Sequence, residues 1–181
     1  MNTGGFMTFS AIDILLLVSA MFGVYGLSAN GRRRILSCKF FCDVFFALYL
    51  YFLGGYTGTM SAGIAALGAL IQLASPDKYL GKTLKIRIIL AVVLSIACIA
   101  VLSRNLTDIY PFISVVVSRF GELSSRTLII RAGFLTACIP WMIYNYSNEF
   151  YLALGFNFLM VIALLTGIVR NERNVKKDQV L

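Results

Sequence analysis

Residues 126–170 read RTLIIRAGFLTACIPWMIYNYSNEFYLALGFNFLMVIALLTGIVR and decide the fold. Two apolar runs flank a short polar break, Tyr144-Asn145-Tyr146-Ser147-Asn148-Glu149. Each run is long enough to cross a bilayer, which takes roughly 20 residues. The break has room only for a tight turn, so the stretch is a transmembrane helical hairpin. Its contents are unusual for a plain anchor: the only tryptophan, a proline within a helix, and asparagines at 145 and 157.

An earlier segment echoes this one. Shifted back by 92 residues, Arg126 falls on Arg34, Leu128 on Leu36, Arg131 on Lys39, Trp141 on Tyr49 and Gly155 on Gly63. A basic entry, an aromatic near the far end and a turn recur in one register. That pattern is expected of an internal repeat, as in transporters built from duplicated bundles.

The rest of the chain fits the same class. Apolar residues make up 59% of the 181 and the mean hydropathy is +0.84; soluble domains sit at about 45–50% apolar. The chain is therefore all-α and polytopic, with seven expected crossings at 11–28, 37–54, 58–75, 86–103, 106–121, 126–145 and 149–170. The fifth is short and broken by Pro111. The fourth has neither charge nor aromatic inside and reads as a linker that brings the second repeat parallel to the first. The expected organisation is a three-helix bundle at 1–81, a linker helix at 82–104, a second bundle at 105–170 and a polar tail at 171–181.

Charge sets the expected orientation. With the N-terminus outside, fifteen of the sixteen Lys and Arg fall on the cytoplasmic side and Arg104 alone falls outside. Cytoplasmic loops collect Lys and Arg, so the net charge of +8 is read as topology rather than as a nucleic-acid surface. No basic leader with a cleavage motif opens the chain. The bilayer is the expected partner, no nucleic acid is expected, and a homo-oligomer is compatible with the sequence.

Few residues offer chemistry. There is no histidine, and the four cysteines read as small packing residues, so no metal site and no cofactor are expected. No nucleophile–base set, phosphate loop or dinucleotide motif is present, and no catalytic residue is assigned. Asp43 is the most informative charge. It lies one turn beyond Lys39, so an i,i+4 pair is natural; Arg131 is a second expected partner. The three form a candidate gate or ion pair, since ionisable groups at membrane depth face partners or water. Small residues at Gly58, Ala62 and Ala66, with Gly63 and Gly68 alongside, suit close helix approach. Asp13 and Asp108 suit helix starts.

The opening FGVYGLSANGRRR, the run GTMSAGIAAL and the segment IPWMIYNY followed by a helix ending GIVRNER resemble the YgjV-like bacterial inner-membrane protein family, over nearly the whole chain. The 3+1+3 plan is similar to that of SWEET and PQ-loop proteins and PnuC-type vitamin transporters, although the Pro-Gln pair is missing. In SWEET-type transporters an asparagine on the last helix of a bundle and a nearby tryptophan line the substrate cavity. The resemblance thus implies a site of Trp141 and Asn157, with Tyr49 and Asn145 added to its wall. The first repeat places Ala65 opposite Asn157, so the implied site is asymmetric. The expected function is transport or facilitated movement of a small polar solute across the inner membrane. The competing expectation is a non-transporting scaffold or accessory subunit.

Overall fold

The computed structural model describes residues 10–29, 31–75, 80–122, 124 and 126–178. They form seven α-helices: α1 Ala11–Ser28, α2 Arg32–Phe52, α3 Tyr56–Ala74, α4 Leu80–Leu102, α5 Tyr110–Glu122, α6 Thr127–Ser147 and α7 Tyr151–Asp178. Five of them, α1, α2, α3, α6 and α7, are long and apolar enough to cross a membrane. The turn read at 76–78 and the end of the tail at 179–181 lie outside the described residues.

Two elements differ from the sequence expectation. The fifth segment is divided just before Pro111, a 3-10 turn giving way to an α-helix. Pro111 lies in the first turn of α5, where its missing N–H would have had no helical partner, and the 3-10 turn, Leu106–Ile109, leads into that helix. At 13 residues α5 spans about 20 Å, short of the roughly 30 Å hydrocarbon layer. The last helix continues past Arg170 to Asp178. The residues after 170 include the good helix formers Glu, Arg and Lys and no Gly or Pro, so nothing there stops it.

The neighbours close into a ring. α1 packs on α2, α2 on α3, α3 on α5, α5 on α6, α6 on α7, and α7 returns to α1; α4 lies outside, against α3 and α5. The α2–α3 and α6–α7 turns share one end, here called the hairpin end. Arg32, Arg33, Arg34, Arg126 and Arg131 mark the other, basic end.

Local structure in α1–α3 is matched in α5–α7 at a constant spacing of 95 residues. Ser10 and Asp13 form a capping box, as do Asn105 and Asp108. Ser19 Oγ donates to the Cys42 carbonyl at 2.8 Å, and Ser114 Oγ to the Ala137 carbonyl at 2.7 Å. At the hairpin turns Gly55 N donates to Leu50 O and Phe150 N to Asn145 O, both at 2.9 Å. Gly54 and Glu149, one residue earlier, both adopt positive φ, 78° and 59°. Only glycine takes that conformation freely, so Glu149 is held there by its turn. The spacing of 92 read from the sequence is corrected to 95. Trp141 corresponds to Phe46 rather than Tyr49, Asn157 to Ala62 rather than Ala65, and Arg131 to Leu36 rather than Lys39. The apolar letters tolerate a three-residue slip, nearly one helical turn; hydrogen bonds and turn dihedrals do not.

Two seams join the halves. At the α1–α7 seam Arg131, fully buried, donates from Nε to Leu27 O at 3.0 Å, from Nη2 to Ala29 O at 2.8 Å and from Nη1 to Gly167 O at 2.9 Å. It thereby satisfies carbonyls that the end of α1 leaves open. A Cβ on Gly167 would lie 2.6 Å from Leu27 O and 2.8 Å from Arg131 Nε, so this approach requires glycine. At the α3–α5 seam a polar chain does the equivalent work. Arg119 pairs with Glu122 at 2.6 Å, Gln72 Nε2 donates to Glu122 Oε2 at 2.9 Å, and Arg32 Nη2 donates to Gln72 Oε1 at 2.6 Å.

Candidate functional site

A cavity of about 60 Å³ occupies the middle of the ring, and every one of the six ring helices contributes to its wall. α2 supplies Lys39, Cys42, Asp43 and Phe46; α6 supplies Phe134, Ala137, Cys138 and Trp141. These are the same four positions at the 95-residue spacing. Phe46 and Trp141 meet edge to face, centroids 5.2 Å apart, and Lys39 Nζ sits 5.5 Å from the centroid of the Phe134 ring. Positions 95 residues apart thus meet across the cavity.

The wall carries a small polar set. Lys39 Nζ is paired with Asp43 Oδ1, one helical turn away, and the two side chains are 19% and 8% exposed. The second carboxylate oxygen, Asp43 Oδ2, has no hydrogen-bond partner among the described residues, and neither has Asn157 Nδ2. Both residues line the cavity. The serines nearby are already occupied: Ser114 bonds to Ala137 O and Ser118 to Val115 O. The wall of the cavity thus holds a carboxylate and an amide, each with one side-chain atom unpartnered among the described residues, amid mostly apolar side chains.

Aromatic rings close the hairpin side. Phe46 stacks on Phe156 at 5.0 Å and on Tyr49 at 6.4 Å, and Trp141 meets Tyr144 at 5.9 Å. Pro140 precedes Trp141 and removes the N–H that would have bonded the Thr136 carbonyl, loosening α6 where its tryptophan faces the axis. Beyond the rings lies a second space of about 270 Å³ at the hairpin end. Its wall includes Thr57, Arg104, Asn105, Asp108, Tyr144 and Asn148. Thr57 Oγ1 is 2.9 Å from Asp108 Oδ1 and 3.2 Å from Tyr144 Oη, and Gly58 N donates to Tyr144 Oη at 3.2 Å. These contacts tie α3 to the start of the second half and to α6.

Of the residues the sequence singled out, Lys39, Asp43, Trp141 and Asn157 are brought together around one cavity. Tyr49 is buried behind Phe46 and does not line it. Asn145 is fully buried, away from the wall, with neither side-chain atom partnered among the described residues. Arg131 is directed to backbone carbonyls, not to Asp43. The sequence reading missed Phe46 and the Tyr144–Thr57–Asp108 contact. The register of 95 would have pointed to Phe46 as the partner of Trp141.

Searches among curated proteins and among solved structures give no match. The family model Imp-YgjV, described as "Bacterial inner membrane protein", matches residues 10–175. The chain belongs to that family: it is a multi-helix bacterial inner membrane protein.

Proposed function

We propose that this protein is a transporter or facilitator for a small polar solute, not an enzyme, and that the solute passes through the centre of the six-helix ring. One observation supports the reading: Asp43 and Asn157, whose buried Oδ2 and Nδ2 have no hydrogen-bond partner among the described residues, both line a cavity to which all six ring helices contribute. Buried polar atoms without partners are costly, and a solute with both a donor and an acceptor would complete them. Size limits the solute. About 60 Å³ holds a few water molecules, well below the roughly 300–1,000 Å³ of drug-sized ligand sites. The fitting class is an uncharged or zwitterionic molecule of a few heavy atoms. The two three-helix halves are the natural moving parts, as parallel repeats around a site at their interface. The charge asymmetry supports an N-terminus outside and a C-terminus in the cytoplasm; fusions that report both ends on one side would overturn that orientation.

The test is flux into proteoliposomes, using urea, glycerol and glycine as probes. Wild type should move at least one of them faster than empty liposomes, and Asn157→Ala and Trp141→Ala should each alter that rate. A rate unchanged by both substitutions would remove the site. The tight aromatic closure supports a second reading, a non-transporting scaffold or accessory subunit, which replaces the first if no probe moves.

A further inference from the structure

The polar chain at the α3–α5 seam has an unused face. Arg119 is only 3% exposed. Its Nη2 meets Glu122 on one side, while Nε and Nη1 have no hydrogen-bond partner among the described residues. The guanidinium lies across α3 at Gly68, where a Cβ would come within 2.0 Å of Nη1. It forms the floor of a crevice between α3 and α4, walled by Leu67, Ile71, Leu90 and Leu94. Leu67 and Leu90 are exposed, so the mouth opens on the apolar outer surface of the ring.

We propose that this crevice binds the phosphate of an anionic phospholipid, with Arg119 as its donor. A buried guanidinium with spare N–H groups needs acceptors, and Arg119 lines a crevice whose other walls, Gln72 apart, are apolar. The free space is about 20 Å³, room for about one water-sized group. A single phosphate oxygen can reach in while the rest of the headgroup stays outside, and the acyl chains can lie along Leu67 and Leu90. Gly68 is six residues before the end of α3, about 9 Å at 1.5 Å per residue. Arg119 therefore lies close enough to the basic end for a headgroup to meet it. Basic pockets between membrane helices are suited to anionic headgroups, and guanidinium–phosphate bonds are among the stronger hydrogen bonds. This inference is independent of any solute in the central cavity.

Native mass spectrometry of the full chain, stripped of lipid in detergent, tests it. Phosphatidylglycerol should be retained at least tenfold more tightly than phosphatidylcholine. The charge-balanced double variant Arg119→Gln/Glu122→Gln should lose that preference. Leu67→Trp, which blocks the mouth without touching the charges, should lose it too while melting as wild type does; it decides the matter if the double variant does not fold. No preference in wild type, or one retained in Leu67→Trp, overturns the proposal. Displacement of phosphatidylglycerol by millimolar inorganic phosphate would make this a free-anion site and overturn the lipid assignment.

Discussion

Replacing Arg131 by Gln should strongly weaken the α1–α7 seam. The wild-type side chain makes three charge-assisted hydrogen bonds, to Leu27 O, Ala29 O and Gly167 O, and none to a carboxylate among the described residues. Each such bond contributes about 1.5–3 kcal/mol in soluble proteins, giving an upper bound near 9 kcal/mol. Side-chain hydrogen bonds between membrane helices average only about 0.6 kcal/mol, giving a lower bound near 2. The site is fully buried and two of the carbonyls lie at the end of α1, where no helical N–H remains for them. A loss of about 4 kcal/mol is therefore expected, on the order of 10 °C in melting temperature for a chain of this size. Arg131→Lys keeps a charge that favours a helix C-terminus but offers a point charge in place of a planar fork, so it should recover about half. The assay is detergent melting followed by tryptophan fluorescence, which Trp141 alone supplies. A melting temperature for Arg131→Gln within about 2 °C of wild type would refute the reasoning.

Other seams and the central pair give further expectations. Asp43→Asn breaks the pair with Lys39; losing one partner of a buried pair costs about 3–5 kcal/mol, and the 19% exposure of Lys39 places this case at the low end. Melting should fall accordingly, and Lys39→Met/Asp43→Leu should restore most of it; failure of the double variant to recover would mean the residues act separately. Gly167→Val drives a side chain into Leu27 O and Arg131, so folded yield after size exclusion should drop sharply; a normal elution profile would show that α1 and α7 can part freely. Tyr144→Phe removes the acceptor of the Gly58 N–H and the contact to Thr57, worth about 1–2 kcal/mol. Hydrogen exchange at the start of α3 should speed up, and unchanged exchange would place that stability elsewhere.

The helices were legible because apolar runs of about 20 residues have few alternatives in a chain this hydrophobic. The two hairpins were legible from their polar breaks. Lys39 and Asp43 could be paired from spacing alone, since four residues is one helical turn. The ring order was not legible, because it depends on which faces of near-uniformly apolar helices meet. The register was read differently for the same reason: Tyr49, Phe46 and Trp141 are interchangeable as aromatic letters, and the spacing of 95 shows only in the cap and turn hydrogen bonds and the dihedrals at Gly54 and Glu149. Arg131 was assigned to a carboxylate because charges suggest charges. In the fold the open carbonyls of a helix end lie nearer, and backbone acceptors leave no mark in sequence. The buried chain of Arg119, Glu122 and Gln72 was hidden because its members come from two segments 50 residues apart.

A solute is proposed to pass through the cavity at the centre of the ring. Ala65 lines that cavity and makes no hydrogen bond with its side chain. Ala65→Leu places three further carbons in a space of about 60 Å³, at a packing cost of about 1–3 kcal/mol. The measurement is the rate at which wild-type and Ala65→Leu proteoliposomes of matched protein content take up the probe that wild type moves fastest among urea, glycerol and glycine. Ala65→Leu should fall to the rate of empty liposomes while still eluting as folded protein. Uptake by folded Ala65→Leu at the wild-type rate would contradict it.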